Sequence, residues 1–554
     1  MNTTEHKHKL RVGVLLDSMR IAAWEHALLE RIVASGRAEI CLVLLLERIN
    51  DRRGSPSGAN SMRYGLYDLY HSLERRIFKP KPNAFARRDA SDFLRTFPLL
   101  TLKPDHRDCF SDQEIELIRK HRPDILLELS STLVKGEITH IPQFGTWSFQ
   151  HYWKGKARAI EDGFWEVIEG KSATQCILYQ RGRDHEHDTI IGSYTFSTDK
   201  ESILRNVSRH AWKRAVLAPR KLEELSDAGA GEFDRRIVRQ SLAVPPPPPP
   251  KDPTTARLLI PLARHFSVSV RRKVQRRAYI NQWILLFNMG DKNIARDLGK
   301  FRKIIPPYEM AWADPHIVFR DGTYYIFIEE CPLKPKKGRI AVIVMDEDGN
   351  YEGPRTIIER PYHLSYPFIF EFGGELYMIP ESSANKTIEL HRCKSFPYEW
   401  EFHKNLMTKI DAVDATLLPY EERWWMFAGV RENEGYPNWD ELFLFHAKSP
   451  LDSTWIPHPL NPIVSDVHSA RPAGPIFRLN GNIYRPSQDC SKRYGYGVRL
   501  NQIMKLNPRE FEEQEVSRIE PAWDRSIIGV HTLSHEHNLT FVDGIYKRRR
   551  HPGS

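Results

Sequence analysis

Two textures of hydrophobic patterning divide the chain. Leu10 to Leu16 (LRVGVLL) and Ile40 to Leu46 (ICLVLLL) are apolar without alternation, as in strands buried on both faces. Between them Ile21 to Ser35 carries its apolar residues at helical spacing, and strand, helix, strand predicts a right-handed parallel unit. The pattern resumes with a helix over Asp112 to His121, a strand over Asp124 to Leu129, a helix from Thr132 and a strand over Gly145 to Phe149. A helical segment at Phe164 to Glu169 and antiparallel strands at Thr174 to Gln180 and Thr189 to Phe196 follow.

Downstream, five segments repeat one another, each an apolar strand, a polar or glycine turn and an aromatic strand. They begin at Ala313 (ADPHIVFRDGTYYIFIEE), Ser365 (SYPFIFEFGGELYMIPES), Val413 (VDATLLPYEERWWMFAG), Ala470 (ARPAGPIFRLNGNIYRPSQD) and Ile528 (IGVHTLSHEHNLTFVDG). Taking Asp314, Tyr366, Asp414, Arg471 and His531 as equivalents gives intervals of 52, 48, 57 and 60 residues, the length of a four-stranded propeller blade. The fold class expected is α/β plus all-β: a parallel-sheet domain followed by a five-bladed β-propeller, with the strand Gln282 to Phe287 closing the ring against the last blade.

Pro245 to Pro250 is an unbroken proline run, a stiff spacer. The organisation expected is an α/β domain over 1–225, a proline-rich linker over 226–258, a basic connecting helix over 259–280 and the propeller over 281–550. The join, Arg257 to Tyr279, mixes apolar residues with Arg264, Arg271, Arg272, Lys273, Arg276 and Arg277. It reads either as peripheral contact with an acidic membrane or as a basic solvated helix.

The 554 residues include 41% hydrophobic and 11% aromatic side chains, which excludes wholesale disorder. No apolar run is long enough for a membrane span and MNTTEHKHKL lacks the apolar core of a signal peptide, so a cytoplasmic location is expected. Six cysteines without a CxxC pair point to reduced thiols rather than a zinc site or disulfides. The net charge of +10 suits nucleic acid, an acidic membrane or an anionic substrate such as a nucleotide sugar.

The strand PDILLELSS, the segment IPQFGTWSFQHYW and GFWEVIEG before two strands resemble the formyltransferase family of methionyl-tRNA and sugar-nucleotide formyltransferases. That family works with an Asn-x-His pair and a later Asp. The resemblance places the Asn on Ser148, the His on Gln150 and the Asp on Asp188, so two of three positions have changed. Gln150 can donate to an oxyanion but cannot move a proton near neutral pH, and His151, its neighbour on a strand, points to the opposite face. The cofactor this resemblance implies is 10-formyltetrahydrofolate; the propeller requires none.

The first strand of each blade lines the central channel, so Asp314, Tyr366, Asp414, Arg471 and His531 are expected to converge. Converging carboxylates raise one another's pKa, which suits acid/base work, although ion pairs that tie blades together use the same residues. Glu381, Glu329 or Glu330 supplies a third carboxylate. The motif ADPHIVFRDGTYYIF resembles the five-bladed propellers of furanosidases. That resemblance implies Asp314 as base or nucleophile, Glu381 or Glu330 as general acid and Asp414 as its orienter, with Tyr366, Arg471 and His531 binding substrate.

WADPHIV, MIPES, VDAT and ARPAGP further resemble the propeller of glucosamine inositolphosphorylceramide transferases. This implies a sugar, sugar nucleotide or glycolipid precursor as partner, in surface-glycan biosynthesis. Nucleic acid is not an expected partner. Formyl transfer to an amino sugar and a non-catalytic glycan-binding scaffold are the alternatives.

No metal is expected. His535, Glu536 and His537 have ligand chemistry but fall in a hairpin turn, Trp424, Trp425, Tyr324 and Tyr325 belong to the packing between blades, and Lys547 to Arg550 reads as a solvated tail.

Overall fold

The computed structural model describes residues 9–46, 58–103, 110–130, 136–149, 162–181, 188–243, 254–290 and 298–550. They form two compact units, Met1–Tyr194 with Thr198–Ser267, and Thr195–Ser197 with Val268–Ser554. The proline run, Gln150, His151 and Cys109 lie outside the described residues.

The first unit is a seven-stranded sheet in the order Leu99–Leu102, Ala38–Leu46, Leu10–Leu16, Ile125–Glu128, Thr146–Ser148, Ala173–Gln180, Thr189–Ser197. The first five are parallel, and Ala173–Gln180 reverses direction beside Thr146–Ser148. Leu10–Leu16 is buried over five consecutive residues, hence on both faces of the sheet, which is why its apolar run does not alternate. Helix Asp112–Lys120 starts where Ser111 accepts from the Glu114 N–H and Glu114 returns the bond.

The helix expected from Thr132 is a 3-10 turn at Glu137–His140 in the described part, because Gly136, at a φ of +80°, starts it immediately before Pro142 ends it. Helices Gly58–Ile77, Ile203–Ala228 and Ala230–Ala243 were not foreseen, and the last runs through the segment read as linker.

The second unit is a five-bladed propeller, each blade a four-stranded sheet. Blades 1 to 4 are contiguous in sequence: Met310–Ile358, Ser365–Thr408, Ala412–Pro457 and Phe477–Ile519. Blade 5 is assembled from both ends of the unit. Leu533–Glu536 and Leu539–Arg549 receive Tyr279–Met289 as third strand, antiparallel from Tyr279 opposite Arg549 to Met289 opposite Leu539, and Arg302–Ile304 as fourth. The basic tail is not a free end: Lys547 to Arg549 pair with Tyr279 to Asn281 on the closing strand, although Arg549 and Arg550 keep their side chains exposed as expected of a solvated tail.

Apolar side chains between blades form separate clusters, with Tyr324, Trp425 and Trp424 in three of them, as the aromatic strands foretold. Cys41, Cys176 and Cys490 are buried free thiols, while Cys331 and Cys393 are half-buried.

Phe287, on the closing strand, stacks on Phe541 with ring centroids 5.4 Å apart and is almost fully buried. Phe287→Ala should cost about 3–5 kcal/mol of unfolding free energy, measured by denaturant titration, since it empties the seam that closes the ring.

Candidate active site in the propeller funnel

The first strands of blades 1, 2 and 3 carry the same irregularity at the same place. Pairing shifts between Ala313 and His316, between Ser365 and Phe368, and between Val413 and Thr416, so two residues face one on the partner strand. The first residue of each bulge has a positive φ: 54° at Asp314, 43° at Tyr366 and 54° at Asp414. A non-glycine residue in that region is strained, and a bulge re-aims its side chain. Three blades thus turn Asp314, Tyr366 and Asp414 out of the sheet and toward one another.

All five residues predicted to converge are buried and linked. Asp314 accepts from the Thr532 hydroxyl at 2.8 Å and the Tyr366 N–H at 3.3 Å, and His531 Nε2 lies 3.5 Å away. His531 Nδ1 reaches Asp543 at 2.6 Å, and Asp543 also accepts from the backbone of Asp314, His531 and Thr532. Asp414 takes a forked bond from Arg471, at 2.6 and 3.1 Å, and a third from Gln488 at 3.2 Å. The Tyr366 hydroxyl contacts Thr416 at 2.7 Å and accepts from the Gly474 N–H at 2.9 Å. Gly474 has a φ of +124°, and a Cβ there would sit 2.0 Å from the Leu533 carbonyl oxygen, so only glycine lets blade 4 approach blade 5 this closely.

Trp283, from the closing strand, stacks on His531 at 3.9 Å, and Tyr494 stands edge-on to the same ring while lying under the Arg471 guanidinium. Sequence reasoning missed Asp543, Thr532, Trp283 and Tyr494. Tyr494 belongs to a loop between strands, where no repeat marks it.

The three carboxylates expected beside Asp314 and Asp414 have different surroundings. Glu381 accepts from the Ser365 hydroxyl and the Ser383 N–H. Glu330 turns to the other face of its strand, where Arg339 and Thr356 hold it at 2.8 and 3.2 Å. Glu329 faces the funnel, with His363 Nε2 at 3.3 Å. It pairs with Ala313 as Glu381 pairs with Ser365, so the two are equivalents in adjacent blades. The 52-residue interval that links Asp314 to Tyr366 also links Glu329 to Glu381, and that was the signal for it.

The electrostatics separate these acids. Burial pushes Glu329 well above the usual carboxylate range, and the charge of Asp314 pushes it further. Burial raises Asp314, His531 pulls it back and Asp543 adds to the rise. Burial carries Asp414 up to about 6 against the pull of Arg471. Burial pulls His531 down, but Asp543 and Asp314 override it and hold the imidazole at about 9.

Asp314, His531 and Asp543 place their ligand atoms within 4.8 Å of one another, as do Glu329, Cys331 and His363. In the first group a cation would compete with the proton that His531 holds. In the second, His363 Nδ1 accepts from the Gly338 N–H at 2.9 Å, which leaves the proton on the Nε2 that faces Glu329. His535 contacts Thr540, and His537 stacks on Phe319 and meets the Tyr324 hydroxyl, so both rings are partnered rather than simply solvated.

In the first unit, Ser148 and Asp188 are brought together by a residue not foreseen. Arg181, fully buried, donates to Glu128 at 2.7 Å, Ser148 at 3.1 Å and Asp188 at 3.2 Å, at the carboxyl ends of the parallel strands. A guanidinium with a carboxylate on either side stands where the resemblance placed the Asn and the Asp.

Fold and site thus define a five-bladed propeller with an acidic, buried funnel floor. Residues 307–528 match the family model described as "Glucosamine inositolphosphorylceramide transferase 1, N-terminal". Curated proteins named glucosamine inositolphosphorylceramide transferase 1 are 36% identical over 208 residues in Oryza sativa subsp. japonica and 33% identical over 207 in Arabidopsis thaliana. Each match covers 37% of this chain but only 28% and 27% of those proteins. Among solved structures, a family 117 glycoside hydrolase from Zobellia galactanivorans is similar at 13% identity and a TM-score of 0.32, covering 48% of this chain and 90% of that one. A Bacillus subtilis arabinanase is similar at 13% identity and a TM-score of 0.31, covering 42% and 93%.

Two outcomes follow. A histidine that binds its proton more tightly folded than unfolded gives its full stabilisation below about pH 6.5 and loses it as the pH rises through about 9. The denaturation midpoint should fall across that window, and His531→Gln should flatten the fall. Arg181→Met should cost about 3–5 kcal/mol of the first unit's stability by denaturant titration, because it strips the cation from two buried carboxylates.

Proposed function

We propose that the propeller funnel is the active site of a carbohydrate-active enzyme of surface-glycan or glycolipid biosynthesis, working by glycosyl transfer or hydrolysis. The observation that carries this reading is the convergence of Asp314, Asp414 and Glu329 in surroundings that hold their protons differently. Glycosidic chemistry needs one carboxyl that keeps a proton for the leaving oxygen and another that stays ionised. Glu329, raised by burial and by Asp314, is suited to donate. Asp314, hydrogen-bonded by Thr532 and beside His531, is the base or nucleophile. Asp414, forked to Arg471, orients the acid and the substrate.

The plant relatives' printed name, a transferase named for glucosamine and inositolphosphorylceramide, supports a sugar or glycolipid precursor as substrate. A cytoplasmic chain would act on such a precursor rather than on a finished polymer. For formyl transfer, Arg181 is the obstacle: it already engages Ser148 and Asp188 from within the fold.

The test is turnover of nucleotide sugars and aryl furanosides by Asp314→Asn, Asp414→Asn and Glu329→Gln. Each should lower kcat by about 10²- to 10⁴-fold; Glu329→Gln should leave the thermal midpoint nearly unchanged, whereas Asp414→Asn, which takes the carboxylate from buried Arg471, should also lower it. The alkaline fall in rate of the wild type, as Glu329 gives up its proton, should vanish in Glu329→Gln. Retained turnover in all three variants would place the chemistry elsewhere, and sugar binding without turnover would mark a glycan-binding scaffold.

A further inference from the structure

The helix Thr255–Ala278 carries Arg257, Arg264, Arg271, Arg272, Lys273, Arg276 and Arg277 and not one aspartate or glutamate. Its apolar residues form two stripes. Leu258 and Leu262 turn inward, into a cluster with Phe164, Ile203 and, from helix Gly58–Ile77, Leu66 and Tyr70. Leu259, Ala263, Phe266, Val270 and Val274 recur every three or four residues along a second stripe, and all are exposed. Phe266 is 71% exposed, and Ile260, beside the stripe, 80%.

Helix Gly58–Ile77, in contact through Tyr70 and His265, carries a similar exposed apolar stripe, although Asp68 lies beside it. Leu69, Leu73 and Ile77 lie one turn apart and exposed, and Arg75, Arg76, Lys79 and Lys81 follow at the same end. Single exposed apolar residues are ordinary on a soluble surface. Two neighbouring helices that each expose an apolar stripe ending among cations are not.

We propose that these helices dock the protein on the surface of an anionic lipid bilayer. The stripe sinks to the boundary between headgroups and acyl chains, and the arginines and lysines meet the lipid phosphates and carboxylates. Charge and apolarity together select this occupant. A second copy of the same face would bring cations against cations, and a nucleic acid would engage the arginines but leave the stripe in water. The helix lies on the membrane rather than crossing it, since no helix among the described residues is long and apolar enough to span one. This inference is independent of the chemistry assigned to the funnel.

The full chain is sedimented with vesicles of phosphatidylcholine alone and of phosphatidylcholine with about 30% phosphatidylserine, at low and high salt. It should partition to the anionic vesicles only, and less at high salt. Two variants replace exposed residues, so both keep the fold, checked by circular dichroism. Phe266→Ser with Val270→Ser removes apolar area, and Arg264→Gln with Arg271→Gln and Arg277→Gln removes charge. Each should weaken partitioning about tenfold or more. Equal binding to neutral vesicles, unchanged binding by the apolar variant, or retention of the chain by single-stranded RNA added as competitor would overturn the proposal.

Discussion

Everything in the funnel depends on closure of the ring by a strand from the beginning of the propeller. Tyr279–Met289 pairs along its full length with Leu539–Arg549, so the first and last segments of the unit share one sheet. Closure turns five separate hairpin repeats into a radial array in which equivalent residues must meet. It also supplies Trp283, whose ring lies flat on His531 and fixes the imidazole between Asp314 and Asp543. The strand that seals the fold is therefore part of the site, and the geometry of the acids is coupled to the integrity of the seam.

Local backbone strain does the aiming. Asp314, Tyr366 and Asp414 each occupy a left-handed conformation that a regular strand would not impose, and each is followed by a residue unpaired in the ladder. The same device in three blades, holding two acids and a tyrosine, argues that the bulge serves the side chain it presents. Blades 4 and 5 reach the floor differently. Neither Arg471 nor His531 has a positive φ, and Gly474 lets the two blades approach until its N–H donates to the Tyr366 hydroxyl.

Much of this was legible because a propeller repeats in sequence as it does in space. The apolar, turn, aromatic pattern marked the blades, and the intervals between them identified all five converging residues. Glu329 was within reach of the same arithmetic, yet adjacent glutamates in IEEC cannot be told apart until the pleat sends Glu330 to Arg339 and Glu329 inward. Asp543 and Thr532 lay in the least regular repeat, and Tyr494 came from a loop that no periodicity reaches. In the first unit Leu10–Leu16, Ala38–Leu46 and Ile125–Glu128 were plain from their unbroken apolar runs, while the short edge strand Leu99–Leu102 was missed. Helices such as Ile203–Ala228 were not: their stability comes from a buried face that single-sequence periodicity marks weakly among many charges.

The balance of charge on the funnel floor bears on the choice between the proposed working site and a set of blade ties. Asp314, Asp414, Asp543, Glu329 and Glu381 act on one another electrostatically, and among the described residues the cations beside them are Arg471 and His531. Arg471 is committed to Asp414 and His531 to Asp543 and Asp314. A network evolved only to tie blades would match charges, since each unmatched carboxylate in a buried place costs several kcal/mol. Here burial and the neighbouring acids favour a proton on Glu329, which would relieve part of the excess. Adjacent carboxyls whose surroundings hold their protons to different degrees are the arrangement that the proposed proton transfer across a glycosidic bond calls for.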